Sequence, residues 1–305
     1  PKGVSELPPE EWVDVEIESV VTKIPTPKPG AETRVSNYYM NNRKHFVNFI
    51  NSYFSQYRDD VLNEELSISC DDIGKDDNAD FKLLIHQKIV RDYLNLYTPY
   101  RGLLLFHGLG SGKTCSSIAI AEGMNTAKRV HVLTPKSLKR NYMEELKKCG
   151  DRIFKKDQHW KFISVKKNVD ILPTLSAAVG ITEAYIKKKK GVWLMDQNKE
   201  SNYNQLEAVE LKSLDDQIDE MIENKYHFIK YNGLRRDRLR AMTDDYKTNI
   251  FDHSVVIIDE AHNFISRIVN RIEKERPIAV DDRGEKEKLH KSLSLKLYEF
   301  LLSAK

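Results

Sequence analysis

The chain has 305 residues, of which 40% are hydrophobic and 31% are charged, and this composition is typical of a globular protein with a heavily solvated surface. Its length accommodates one large domain with an appendage, or two small domains. The formal net charge is only +3, which excludes a chain that binds nucleic acid over its whole surface, so any such surface must be a local patch.

Cysteine usage and hydropathy exclude further classes. Cys70, Cys115 and Cys149 lie far apart, with no Cys-x-x-Cys pair and no His/Cys cluster. This spacing argues against a zinc site and a disulfide framework and favours a reducing compartment. No apolar run approaches the roughly 20 residues that span a bilayer, so we expect no membrane segment. Because the chain starts at Pro1 without a methionine or a signal peptide, we expect it to be a fragment.

The first 80 residues are predicted to precede the main domain. Residues 1–36 are rich in proline, which predicts an extended leader. Residues 37–80 are predicted to be helical, and the acidic loop at 71–80 marks the domain boundary. A stripe at helical spacing predicts a helix from Tyr38 that either packs against the next domain, which is favoured, or forms a ligand platform. The stripe consists of Phe46, Ile50, Tyr53, Phe54 and Tyr57.

Residues 81–305 alternate between helix and strand patterns, and the predicted fold class is α/β. A helix over 81–96 comes first, and a second helix starts at Lys113 after a glycine-rich loop. Apolar strands are predicted at 103–106, 130–133 and 255–258. Near-continuous apolar strands flanked by helices are typical of a parallel sheet with helices on both faces.

More than a hundred residues separate the second and third of these strands. An insertion is therefore predicted at about 168–225, with a lysine run at 187–190 that is either a phosphate-binding or a solvated loop. A helix in this insertion presents one apolar face, formed by Leu211, Leu214, Ile218, Met221 and Ile222. The chain ends in another predicted helix, marked by Leu293, Leu297, Phe300 and Leu301.

The glycine-rich loop has the sequence His107-Gly108-Leu109-Gly110-Ser111-Gly112-Lys113-Thr114. Glycines let backbone N–H groups approach phosphate oxygens, and the following helix N-terminus adds partial positive charge. Lys113 is expected to bind the β- and γ-phosphates and Thr114 to ligate Mg²⁺. The cradle around them consists of Gly108, Gly110, Ser111 and Gly112. His107 stands where the strict motif has glycine, and the alternative is a glycine-rich turn with a chance Lys-Thr pair.

The strand at 255–258 is followed by Asp259-Glu260-Ala261-His262. A carboxylate at the end of a buried parallel strand lies at the sheet edge where ligands bind. Asp259 is therefore expected to hold Mg²⁺, and Glu260 to orient and deprotonate the attacking water. From its position alone, His262 is either a surface residue or a metal ligand. The absence of a second histidine four residues later argues against the metal.

Together these motifs resemble those of superfamily 2 helicases and translocases of the DEAH-box class, over residues 81 to about 270. The resemblance implies a RecA-like lobe that uses ATP and Mg²⁺ and binds nucleic acid. Lys113 and Glu260 would then be catalytic, and His262 would couple the two ligands. The resemblance also implies that Gln87, which precedes Lys113 by 26 residues, contacts adenine; the alternative is an ordinary exposed glutamine on a helix.

Residues 132–138 resemble motif Ia of the same class, in which a strand end and its loop bind a phosphate backbone. The contact candidates are Thr134, Lys136 and Ser137, with Arg140 in the helix that follows. Residues 228–234 look like the strand and loop that precede motif II, which is the name in this class for the segment Asp259-Glu260-Ala261-His262.

Charge supports a local nucleic-acid surface in this part of the chain. Residues 128–167 carry thirteen Lys/Arg against four Asp/Glu, a local charge of +9, so binding there would depend strongly on salt. Trp160 and Phe162 lie within this segment and either stack on bases or pack in the core, and the core is favoured.

The residues at 41–43, 86–87, 101–107 and 259–264 together resemble the helicase-like ATPases of large nucleocytoplasmic DNA viruses. These are relatives of the poxvirus early transcription factor subunit and nucleoside triphosphatase. This resemblance implies a role in viral transcription or genome handling, in the cytoplasm of an infected cell or in the virion, with viral transcription proteins as partners. The alternatives are the motor subunit of a restriction system and a non-motor ATP-binding switch in a transcription complex.

Enzymes of this kind carry a second RecA-like lobe with an arginine finger, which contributes roughly 10³–10⁵ in rate. Ser303-Ala304 resembles the start of the segment that leads to that lobe, but the helical spacing of Leu293, Leu297 and Phe300 predicts a C-terminal helix instead. We therefore expect the second lobe to be absent from this chain. We therefore expect the chain alone to hydrolyse ATP at a barely detectable rate, without stimulation by nucleic acid.

Overall fold

The computed structural model describes residues 43–67, 83–95, 102–108, 110–124, 128–165, 169–272 and 293–305. The predicted leader at 1–36 and the acidic loop at 71–80 lie outside these residues. Two compact units make up the chain. Unit 1 comprises the described residues within Pro1–Thr126 and Met143–Lys225, and unit 2 those within Ala127–Tyr142 and Tyr226–Lys305.

Helices and strands alternate through most of the described chain. In chain order they are α1 (Arg43–Phe54), α2 (Arg58–Ser67), α3 (Ile85–Asn95), α4 (Lys113–Met124), β1 (Arg129–Thr134), α5 (Lys139–Cys149), β2 (Trp160–Ser164), α6 (Leu172–Val179), α7 (Glu183–Lys189), β3 (Gly191–Met195), α8 (Ala208–Lys225), β4 (Tyr226–Lys230), α9 (Arg236–Met242), β5 (Ser254–Ile258), α10 (Ala261–Ile272) and α11 (Leu293–Ser303). Helix α5 begins in unit 2 and ends in unit 1.

The aromatic stripe of the N-terminal helices packs within unit 1. The Phe54 ring stacks on that of Tyr93 at the end of α3, with centroids 6.5 Å apart. The Tyr57 hydroxyl, just beyond α1, donates a hydrogen bond to the carboxylate of Asp92. These contacts favour the packing interpretation of the stripe over the ligand-platform one.

The region predicted as an insertion contributes a strand and a long helix to unit 1. Strand β3 pairs antiparallel with β2, which precedes the insertion. The side chain of Gln217 on α8 accepts from the Trp193 N–H at 2.7 Å and donates to the Trp193 carbonyl at 2.8 Å, which fixes α8 against β3. The apolar face predicted for α8 is buried at Leu214, Ile218, Met221 and Ile222. Trp160 is also buried, so this residue packs in the core.

Unit 2 contains a three-stranded parallel sheet in the order β4-β1-β5, with helices in its connections. The predicted α/β class with a parallel sheet is confirmed. Leu133 of β1 lies opposite Ile229 of β4 and Ile258 of β5, so all three strands end at one edge. The predicted C-terminal helix is confirmed as α11, and its Leu297 is fully buried in a core with Phe251 and Phe264.

The strand predicted at 103–106 is not formed. Residues 102–108 have no regular secondary structure, and the side chains of Leu104 and Phe106 are 77% and 93% exposed. An apolar run indicates that a segment favours burial, but a strand also needs a neighbouring edge with which to exchange hydrogen bonds. This segment has no such partner within the described part of unit 1.

Two of the three cysteines form one disulfide, which the argument against a disulfide framework did not anticipate. Cys115 on α4 and Cys149 at the end of α5 have Cα atoms 5.7 Å apart and are separated by 34 residues in the sequence. The two helix positions become neighbours only through tertiary packing, which sequence spacing does not report. The bond also removes the basis for inferring a reducing compartment from cysteine spacing.

None of the helices in the described ranges combines the length and the hydropathy needed to cross a membrane.

Candidate nucleotide-binding and catalytic site

The glycine-rich loop at 107–114, called the P-loop from here on, turns into α4 because two of its glycines adopt left-handed backbone angles. Gly110 has φ of 80° and Gly112 has φ of 73°. An ordinary side chain disfavours such angles, and glycine permits them. Helix α4 then begins at Lys113, so its first N–H groups and its positive dipole end face the loop.

The side chain of Lys113 lies over this loop. Its ammonium group donates to the carbonyl oxygens of His107 at 3.1 Å and Gly108 at 3.0 Å. The Ser111 hydroxyl donates to the same Gly108 carbonyl at 2.9 Å. Thr114 follows in the first turn of α4 and is half-buried. The arrangement places a full positive charge, a hydroxyl and a helix N-terminus together, which is the chemistry that an anionic phosphate chain requires.

Gln87 supports the P-loop from α3. Its side chain is only 2% exposed, which excludes the exposed-glutamine alternative. The Gln87 amide donates to the Gly112 carbonyl at 3.3 Å, and its oxygen accepts from the Leu84 N–H at 3.0 Å. A Cβ atom at Gly112 would overlap the Gln87 amide nitrogen, and with φ of 73° this position favours glycine. Nearby, His86 Nε2 lies 3.0 Å from the carbonyl oxygen of Ser111.

Asp259 and Glu260 form the turn between β5 and α10 in unit 2. The Asp259 N–H still donates to the Leu133 carbonyl at 2.9 Å, so this residue extends the strand pairing. Glu260 is exposed and has φ of 52°, in the left-handed region. Burial, with the neighbouring Glu260 carboxylate, raises the pKa of Asp259 above its ordinary value. A bound cation would compensate for the cost of ionising this carboxylate. Oxygen atoms are the ligands that Mg²⁺ prefers.

Thr134 differs from its expected role as a phosphate contact. It is fully buried, and its hydroxyl donates to an Asp259 carboxylate oxygen at 3.3 Å. The hydrogen bond lowers the pKa of Asp259 and so opposes the effect of burial. The physical reason is register: Thr134 ends β1 directly beside the end of β5, and its side chain points into that edge. Thr134 therefore belongs with the motif II carboxylates.

Tyr231 is a site residue that the sequence did not identify, although it lies in the segment compared with the strand and loop before motif II. Its hydroxyl lies 3.2 Å from the carbonyl oxygens of both Asp259 and Glu260.

His262 is exposed, and its Nδ1 lies 3.3 Å from the Glu260 carboxylate. Among the described residues, no cluster of potential metal ligands includes His262.

The remaining nucleic-acid candidates are exposed at the start of α5. Lys136 and Ser137 form the turn after β1, and Arg140 lies in the first turn of the helix; all three face solvent. Other basic residues of the 128–167 segment are engaged inside unit 1. Lys147 is buried in ion pairs with Asp219 and Glu144, and Lys156 pairs with Asp215.

The structure thus gathers the predicted site residues into two groups. The P-loop residues and Gln87 lie together in unit 1. Asp259, Glu260 and His262 lie together in unit 2, where Thr134, Lys136, Ser137 and Arg140 are also found.

Comparison with known proteins assigns the chain to a family. The family model described as "Type III restriction enzyme, res subunit" matches residues 80–280. A candidate ATP-dependent RNA helicase of Acanthamoeba polyphaga mimivirus is 26% identical over 222 residues, which cover 72% of this chain and 30% of that protein. A candidate helicase of Invertebrate iridescent virus 3 is 25% identical over 183 residues, 59% of this chain and 15% of that protein.

A candidate helicase of Frog virus 3 is 41% identical over 70 residues, which cover 21% of this chain and 7% of that protein. The chain therefore spans less than a third of the length of these relatives. No solved structure matches it significantly. Because the family model covers about two thirds of the chain and every relative named above is a candidate helicase, the chain belongs to the "Type III restriction enzyme, res subunit" family, within the superfamily of helicase-like ATPases.

Proposed function

We propose that this chain is the ATP-binding part of a nucleic-acid-dependent helicase or translocase of the DEAH-box class. The observation that carries the proposal is the P-loop: the Lys113 ammonium group lies over a glycine turn at the N-terminus of α4. A lysine at the N-terminus of a helix, where the helix dipole also favours an anion, matches a nucleotide phosphate chain.

Each residue has a proposed role in this reaction. Lys113 binds the β- and γ-phosphates, and Gln87 holds the loop and contacts adenine. Thr114 and Asp259 supply oxygen ligands for Mg²⁺, which when bound neutralises phosphate charge. Glu260 orients the attacking water and accepts its proton. In this scheme a bound Mg²⁺ would stabilise the ionised form of Asp259, whose pKa is raised by burial.

The biological role that we propose is viral. The relatives of this chain are candidate helicases of mimivirus, iridescent virus and frog virus, and the first is an RNA helicase candidate. We propose a function in viral transcription or genome handling, in the cytoplasm of the infected cell or in the virion, with viral transcription proteins as partners.

The test of the enzyme is ATP turnover by the full-length protein, with and without nucleic acid. We expect stimulated turnover that Glu260→Gln abolishes while nucleotide binding persists, whereas Lys113→Ala weakens binding by about 2 kcal/mol, the typical worth of a charge-assisted contact. The 305-residue chain alone should turn over ATP barely detectably, because the arginine finger is proposed to lie on a second lobe. Equal nucleotide affinity of wild type and Lys113→Ala in calorimetry would refute the P-loop assignment.

The test of the nucleic-acid surface is charge reversal at the exposed residues of α5. Lys136→Glu with Arg140→Glu should weaken binding equally for all sequences and lower the salt slope by about two, one for each lost phosphate contact. The matched control is Lys199→Glu with Lys212→Glu, which reverses two exposed charges outside both the 128–167 segment and the 187–190 run. An equal loss in both double variants would indicate non-specific electrostatics in place of a binding surface.

The second candidate function is the motor subunit of a restriction system, which the description of the matching family favours. Such a motor would act with a nuclease, so DNA cleavage by the full-length protein or its complex would support this candidate over the viral helicase. Nucleotide binding without any stimulated turnover would instead support a non-motor switch.

A further inference from the structure

The catalytic turn of unit 2 contains a residue in an unfavourable backbone conformation. Glu260 has φ of 52°, and a left-handed angle costs an ordinary L-residue roughly 1–2 kcal/mol. Such a conformation persists only where neighbouring groups hold it. The Asn263 N–H donates to the Glu260 carbonyl at 2.9 Å as α10 begins, and the Glu260 N–H bonds to the Asp259 carboxylate.

The hydroxyl of Tyr231 contacts the carbonyl oxygens of the two consecutive peptide units on either side of the Glu260 Cα atom. It lies 3.2 Å from the Asp259 carbonyl oxygen and 3.2 Å from the Glu260 carbonyl oxygen. Tyr231 is the first residue beyond β4, and the turn directly follows β5. Because β1 lies between these two strands, the tyrosine side chain reaches across the end of the central strand to the catalytic turn.

Tyr231 is itself held in one position. Its ring packs against Phe264 of α10, with centroids 5.3 Å apart, and the residue is buried. The single proton of its hydroxyl is therefore shared between the two carbonyl oxygens of the turn.

We propose that Tyr231 is a positioning residue for catalysis: its hydroxyl holds the two consecutive carbonyls of the Asp259–Glu260 turn and so aims both carboxylates. This inference rests on the proposed ATPase function and adds to it a residue outside the recognised motifs. A hydroxyl that bonds to the main chain of the turn does not itself occupy either carboxylate, where Mg²⁺ and water are proposed to bind.

The experiment compares Tyr231→Phe with Tyr246→Phe in the full-length protein. Both changes remove one phenolic hydroxyl from unit 2, but that of Tyr246 is buried without a hydrogen-bond partner in the described part of the chain. We expect Tyr231→Phe to lower kcat about fivefold, which corresponds to ~1 kcal/mol at 1.36 kcal/mol per tenfold. The KM for ATP should stay within about twofold, because the P-loop is untouched, and the Mg²⁺ concentration for half-maximal turnover should rise.

Hydrogen exchange of the 259–263 amides provides a readout that does not depend on turnover. Exchange there should accelerate in Tyr231→Phe and stay unchanged in Tyr246→Phe. An unchanged kcat, an equal fall in both variants, or a fall that matches the unfolded fraction at the assay temperature would each overturn the proposal. If the wild type shows no ATPase activity, the proposed function fails separately, and unchanged exchange would then overturn the positioning role as well.

Discussion

The hydroxyl of Thr134 donates a hydrogen bond of 3.3 Å to the carboxylate of Asp259, although the two residues are 125 positions apart in the chain. Thr134 ends β1 and also begins the loop that carries Lys136 and Ser137. The bond therefore connects the segment proposed to bind a phosphate backbone with the carboxylate proposed to hold Mg²⁺. A movement of this loop would therefore change the hydrogen bond that the Asp259 carboxylate accepts.

Replacing Thr134 with valine should shift the pH dependence of turnover. Valine keeps the shape of threonine but cannot donate, so the pKa of Asp259, already raised by burial, should rise further. Asp259 must be ionised to bind Mg²⁺, and activity is lost as the pH falls through its pKa. The acidic limb of the kcat profile should therefore move to higher pH, as measured at saturating ATP.

The matched control for this variant is Thr243→Val. Thr243 is equally buried in unit 2, but it follows the last residue of α9, and its hydroxyl donates to the Leu239 carbonyl of that helix. It should leave the acidic limb in place. A limb that is unmoved in Thr134→Val, or that moves in both variants, would contradict the proposed electrostatic connection.

Asp259→Asn should stabilise the protein in the absence of divalent cations. Burial raises the folded-state pKa of Asp259, so the charged form is disfavoured on folding, and this destabilising contribution is present once the pH rises through that pKa. Asparagine removes it and can still accept from Thr134. The midpoint of thermal unfolding at pH 7–8 should therefore exceed that of the wild type, and the difference should disappear as the pH falls through the raised pKa.

A neutral substitution at an exposed carboxylate of the same unit, Asp237→Asn, should bring no such gain. Addition of Mg²⁺ should favour the wild type over Asp259→Asn. A lower midpoint for Asp259→Asn at every pH would mean that the carboxylate stabilises the fold, contrary to this account.

Gly112→Ala should disrupt the P-loop for two independent reasons. The residue has φ of 73°, which costs alanine roughly 1–2 kcal/mol, and the new methyl group would displace the Gln87 amide from its hydrogen bond to the Gly112 carbonyl. We expect nucleotide binding to be lost and the unfolding midpoint to fall. Gly102→Ala is the control, since a Cβ there meets nothing within 4 Å. Comparable nucleotide affinity in Gly112→Ala and the wild type would contradict the described loop.

The disulfide predicts a thiol count. Protein purified without reductant and then denatured should show one reactive thiol, that of Cys70, and three after reduction. In the chain-entropy model a loop of this length contributes roughly 3–4 kcal/mol, so Cys149→Ser should lower the free energy of unfolding by about that amount. Cys70→Ser should not. Three reactive thiols before reduction would show that the bond does not form.

The sequence predicts well the features that depend on local patterns. The apolar runs of β1 and β5, the amphipathic faces of α8 and α11 and the glycine loop before α4 all lie where the patterns indicate. Each depends on residues within one element, for which periodicity and backbone preferences are sufficient information.

Features that depend on neighbours could not be predicted in this way. The partnership of Thr134 with Asp259 follows from which strands lie side by side, and that of Cys115 with Cys149 from how α4 and α5 pack. The burial of Gln87 depends likewise on the P-loop folding over it. The apolar segment at 103–106 illustrates the converse, because a strand-like pattern does not provide a pairing partner.

The left-handed backbone of Glu260 has a consequence for any attempt to improve this protein. Glycine, asparagine and aspartate adopt that conformation more readily than glutamate does, so a library screened only for yield should drift away from glutamate at this position. A screen for turnover should retain it, since a shorter or neutral side chain cannot replace the proposed base. Selection for abundance and selection for chemistry would thus oppose each other at a single residue, and Glu260 would be kept by the second alone.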